Sequence, residues 1–213
     1  MDLQRIEIEL NKRLTYPYRW GRKQNDHYDY LTRFIYGIES FDALLLTIDN
    51  KFNGNPDFDS LKNYTLNRWF NFWSAHAIEN IFCSMNGVTP EIDGKNKLID
   101  FSIKGTGFDH KTSVYPSGYP FSIAEAKNNP SDLIKWLYEN QSQQQRKHFK
   151  NRLFIILYST AGEHWKLKAQ ISWLKNIIES YVTNFNSEKL YKFSFSENTI
   201  TLADIIWAIS LKK

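Results

Sequence analysis

Two aspartates and a lysine, Asp100, Asp109 and Lys111, stand on either side of Gly105-Thr106-Gly107. Isoleucine, phenylalanine and valine alternate there with polar side chains, the period of two that marks a half-buried strand. Gly105-Thr106 predicts a two-residue type II′ turn, with glycine at its first central position. That turn pairs Lys104 with Gly107, Ser102 with Asp109 and Asp100 with Lys111. Cross-strand partners share a face, so the two acids and the lysine would point the same way. A one-residue slip would turn one strand's side chains to the other side.

Two acids and an ammonium on one strand pair suit hydrolysis of a phosphodiester. The carboxylates would hold a hard cation such as Mg²⁺, for which Mn²⁺ would substitute, and most of its other ligands would be water. The cation lowers the pKa of bound water, and the lysine orients the nucleophile and meets developing charge. On these residues the chain resembles the PD-(D/E)XK nuclease superfamily, in which an acid on one strand precedes an acid-x-lysine on the next. Asp100 matches the first position and Asp109-His110-Lys111 the second. Ile99 stands where the family name has proline, Asp109 replaces the usual glutamate, and His110 fills a position that is often apolar.

The resemblance implies a restriction-endonuclease-like core over residues 65–160 and a Mg²⁺-dependent endonuclease acting on DNA more readily than RNA. Asp100, Asp109 and Glu79 would hold the metal, Lys111 would orient water, and Gln141 would assist in catalysis. A restriction or defence role is part of what it implies. Cutting both strands would call for a homodimer. The alternative is a catalytically inactive nucleic-acid-binding protein of the same fold.

Acid-x-lysine occurs three more times, as Asp49-Asn50-Lys51, Asp93-Gly94-Lys95 and Glu125-Ala126-Lys127. The first two lie among turn residues. The third is a genuine rival: "FSIAEAK" reads as a strand, in which case Asp109 becomes the first acid.

The helix carrying "LNRWFNFWSAHAIENIF" is apolar nearly all round and predicts burial, with Glu79 and His76 one turn apart on it. A later helix, opened by Asn129-Pro130, changes from Leu133 and Leu137 to Gln141, Gln144 and His148 along one stripe. Gln144, Gln145, Arg146 and His148 are therefore candidates for substrate contact. Arg146, Lys147, Lys150 and Arg152 form one basic cluster. Arg19, Arg22 and Lys23, interleaved with Tyr16, Tyr18 and Trp20, form another, and both could neutralise phosphates or stack on bases.

These residues require an α/β frame: a mixed β-sheet flanked by helices, as a single domain over 1–213. Residues 1–64 would be a helical N-terminal elaboration, 65–160 the core, and 161–213 the completion of the fold. Helices are predicted over 2–14, 27–48, 65–85 and 130–149. The hairpin falls at 98–115 and a buried strand at 152–159. "HWKLKAQ" and "LYKFSFS" read as strands, "SWLKNIIESYVTNF" and the C-terminal "LADIIWAI" as helices. At 213 residues, 42% apolar and +4 in net charge, the chain can bury a core and is compatible with a polyanion. A single cysteine, Cys83, excludes an internal disulfide. No metal-ligand histidine spacing and no phosphate-cradling GxxxxGK[ST] occurs. No long apolar run or leader-like opening is present, so a cytoplasmic protein without a membrane partner is expected.

Overall fold

The computed structural model describes residues 1–19, 26–93, 98–140, 150–196 and 199–211. Their fold is α/β, with a six-stranded mixed sheet in the order β1-β2-β3-β4-β6-β5. The strands are β1 Val88–Pro90, β2 Phe101–Ile103, β3 Thr106–Val114, β4 Arg152–Ser159, β5 Tyr191–Ser196 and β6 Thr199–Ser210. Strands β1, β2 and β3 form an antiparallel meander, β4 runs parallel to both β3 and β6, and β5 closes the sheet antiparallel to β6.

The run "RLFIILYS" is apolar on both faces because β4 is covered on both. Phe154 and Ile156 of β4, with Ala203 and Ile205 of β6, pack against Leu133, Ile134, Leu137 and Tyr138 of helix α6 (Pro130–Asn140). Leu153, Ile155 and Leu157 are equally buried on the opposite face. Each such side chain contributes roughly 1.5–3 kcal/mol by leaving water.

The hairpin turn lies one residue earlier than predicted. Lys104 (φ 46°) and Gly105 (φ 85°) are its central residues, and two positive φ values define a type I′ turn, whose twist matches that of the strands it joins. Ile103 then pairs with Thr106, Ser102 with Gly107 and Phe101 with Phe108. Each β2 residue meets a β3 residue two places before the predicted one, and an even shift preserves the faces. Lys104 takes the left-handed conformation while its Nζ donates to the carbonyl of Phe185 at 3.1 Å. At Gly107 a Cβ would lie 2.8 Å from Cδ1 of Ile99, so any side chain there would make Ile99 shift.

Four expectations are corrected. The helix predicted over 27–48 is broken into α2 (Asp26–Leu31), a 3-10 turn (Arg33–Gly37) and α3 (Phe41–Phe52), which starts where Ser40 caps the amide of Ala43. "HWKLKAQ" forms a 3-10 helix over His164–Ala169 rather than a strand. "LADIIWAI" is part of β6, registered residue by residue on β4 from Ala203 opposite Arg152 to Ser210 opposite Ser159. A helix there would leave that edge of β4 without backbone partners in the middle of the sheet. Finally, Glu125-Ala126-Lys127 lies on helix α5 (Ile123–Asn128), where Ser122 and Glu125 form a reciprocal capping box; the rival strand does not exist.

Contacts divide the chain into two compact units, residues 1–78 with 168–173, and residues 79–167 with 174–213. The boundary at 78/79 falls inside helix α4 (Phe58–Cys83). In the first unit, Arg13 of α1 (Leu3–Arg13) is fully buried and donates to the carbonyls of Tyr16 and Pro17 and to Oδ1 of Asn67. Asn67 in turn donates to the carbonyl of Arg19. Burial lowers the Arg13 pKa to about 10. In the second unit, Asn151, just before β4, binds the strands on either side of it: its carbonyl accepts from Asp109 and its Nδ2 donates to Gly107 on β3, and its Oδ1 accepts from Leu202 on β6.

Candidate active site

Asp100 immediately precedes β2, and its amide donates to the carbonyl of Phe108 at 2.8 Å. Its Oδ2 accepts two hydrogen bonds from one residue, the backbone N–H of His110 and ring Nδ1 of His110, both at 2.8 Å. That places the carboxylate against the residue between Asp109 and Lys111. The His110 side chain is only 7% exposed. Its ring stacks on Phe101 (5.9 Å, 29°) and lies 6.3 Å from Phe82. Burial pushes the Asp100 carboxyl pKa up, but the His110 hydrogen bonds and charge, with that of Lys150, hold it below its ordinary value.

Asp109 and Lys111 share a face of β3 by strand alternation. Lys150 Nζ lies 2.8 Å from Asp109 Oδ1 and Arg152 Nε 2.7 Å from Oδ2, with all three side chains only 14% exposed. The parallel register sets Arg152 opposite Asp109. The Arg152 guanidinium also covers the rings of Tyr138 and Phe154, at 5.4 and 5.7 Å. Lys111 is exposed, yet the protein packed about it lowers its pKa. Asp109 opposes that shift, Arg152 and Lys150 deepen it, and Asp100 opposes it more weakly.

Glu79 and Cys83 lie one turn apart near the end of α4. Burial first, then the carboxylates of Glu79 and Asp100, pushes the Cys83 thiol up to about 11. The two acids therefore act on the same sulfur, which remains a protonated, unreactive thiol at neutral pH. Among the described residues no three His, Cys, Asp or Glu side chains are grouped to hold a metal ion. Mg²⁺ can be bound through one or two carboxylates with water completing its shell; Asp100 and Asp109 are carboxylates of that type, Asp109 with both oxygens held by Lys150 and Arg152.

The remaining sequence candidates divide. Gln141, Gln144, Gln145, Arg146 and His148 lie outside the described residues. His76 packs its ring on Phe72 (5.8 Å, 15°) and Trp73 within the first unit. Lys150 and Arg152, read from the sequence as phosphate contacts, are turned onto Asp109. That pairing was missed because it depends on a parallel register after a long crossover. The His110–Asp100 contact was missed because the x position signals nothing by itself; its clue was a histidine in an apolar strand position.

Among the described residues no helix is long and apolar enough to cross a membrane. No protein-family model, curated protein or solved structure matches the chain.

Proposed function

We propose that the chain is a metal-dependent nuclease hydrolysing DNA phosphodiesters, with Asp100, Asp109 and Lys111 at its centre. The observation that carries this reading is the Asp100 carboxylate on the amide of His110, between an acid and a lysine that share one face. The element order supports it: helix α4, the β1–β2–β3 meander, helices α5 and α6, then β4 parallel to β3. It matches the order of helix, hairpin, helix and buried strand that the resemblance to the PD-(D/E)XK superfamily implies, with the first acid beside one hairpin strand and acid-x-lysine on the next.

Asp100 and Asp109 would hold a divalent cation such as Mg²⁺ or Mn²⁺, which supplies an acidified water and charge neutralisation of the phosphate. Glu79 would act on the same site through water. Lys111, with its lowered pKa, would orient the attacking water and meet the charge that develops on the phosphate oxygens. Lys150 and Arg152 would pass from Asp109 to the substrate's phosphates.

The test is nicking of supercoiled plasmid with Mg²⁺ or Mn²⁺ by wild type, Asp109→Asn and Lys111→Met. Cleavage by wild type, lost by at least about a hundredfold in both variants, is expected. Equal cleavage in all three would remove the assignment. A second reading, a nucleic-acid-binding protein without activity, is favoured by one fact: both Asp109 oxygens are engaged by cations of the chain itself. DNA binding by a wild type that cleaves no plasmid with either metal would decide for it.

A further inference from the structure

We infer that His110 is a positioning residue for the first acid of the site: by its backbone amide and its ring together it fixes the direction in which the Asp100 carboxylate offers its remaining lone pairs. The inference deepens the nuclease reading and rests on it. Two bonds of 2.8 Å converge on a single oxygen, Oδ2. They approach from the strand amide and from a ring whose own orientation is set by Phe101 and Phe82. A carboxylate only accepts hydrogen bonds, so Nδ1 carries the proton and the tautomer is fixed by Asp100 itself. With Oδ2 occupied twice and the carboxylate unable to rotate, Oδ1 keeps a single orientation toward an incoming cation. Such supporting donors commonly govern metal affinity by one to two orders of magnitude.

The competing explanation is that the ring merely fills the core between two phenylalanines. Two substitutions separate them. His110→Phe keeps the ring and removes the donor, whereas His110→Asn removes the ring and keeps an N–H near the place of Nδ1. Mn²⁺ binding, followed by the paramagnetic resonance of free Mn²⁺, is expected to weaken about 10–100-fold in His110→Phe. In His110→Asn it should stay within roughly threefold of wild type, about 0.65 kcal/mol by the constant relating energy to affinity. The Mn²⁺ concentration giving half-maximal plasmid nicking should shift in parallel, with kcat at saturating metal changing less.

Mn²⁺ affinity unchanged in a folded His110→Phe, or lost equally in the Phe and Asn variants, would overturn the inference. Should His110→Phe fail to fold by circular dichroism, His110→Gln takes its place. Its amide reaches toward the position of Nε2, so it is expected to lose affinity where Asn retains it; equal affinity of the two would again overturn the proposal. A wild type that binds Mn²⁺ without cleaving any plasmid sinks the nuclease reading and leaves the role of His110 standing. One that binds no Mn²⁺ sinks both.

Discussion

Lys111 is a residue that stability does not ask for. Asp109 already has an ammonium at 2.8 Å and a guanidinium at 2.7 Å, and the crowding of Lys111 by protein and by those two cations disfavours its charged form. Lys111→Met should therefore leave the melting temperature unchanged or raise it while abolishing cleavage, read by calorimetry and plasmid nicking on one preparation. Lys150→Gln should behave differently. Removing a competitor for Asp109 is expected to tighten Mn²⁺ binding in the absence of DNA. The same change should weaken DNA binding and reduce its dependence on log salt by about one unit. Asp100, Asp109 and Lys111 were legible as candidates because their types and spacing carry chemistry within twelve residues of chain. The partners of those residues were not, since Lys150 and Arg152 reach Asp109 only through the β3–β4 crossover.

Among the elements, the hairpin was legible and its turn was one residue out. The sequence Lys104-Gly105-Thr106 accommodates glycine at either central position, and only the pairing with the rest of the sheet chooses. β6 was misread because Leu202–Ile209, apolar but for Asp204, reads alike as a largely buried strand and as a buried helix. That strand also carries a titratable liability. Asp204 accepts from Tyr181 Oη at 2.9 Å on helix α7 (Ile171–Thr183) and from the amide of Ile205. Burial nevertheless raises its pKa, against both hydrogen bonds. A raised carboxyl pKa means that the folded state holds its proton more tightly than the unfolded one. Asp204 then favours folding most below the unfolded value of 3.8, and that contribution is lost as pH rises through the folded pKa. Asp204→Asn should thus raise the melting temperature at pH 7, with the gain vanishing toward pH 3 in a pH-resolved thermal scan.

At the scale of the molecule, the α/β class followed from the order of apolar periods along the chain. The division into two compact units did not, because its boundary lies within α4, one continuous helix that runs through residues 78 and 79 without a break. The net charge of +4 is modest, so long-range attraction to DNA should be weak and local contacts should dominate affinity. One centre cuts one strand, so the protein at concentrations where sedimentation shows a monomer should release nicked circles well before linear plasmid. Linear product appearing first, at those concentrations, would require paired centres.

Asn151 ties β3 to β6 at the entry to β4. With its main chain and amide gripping Gly107, Asp109 and Leu202 at once, it acts as a rivet between β3 and β6 directly beside Arg152. Asn151→Ala should cost about 1 kcal/mol by orphaning the half-buried Gly107 carbonyl and Leu202 amide, measurable by denaturant unfolding. Because one side chain serves strands on both sides of β4, its loss should loosen the two together, seen as faster amide exchange at Leu202 beside β3 amides that also lose protection.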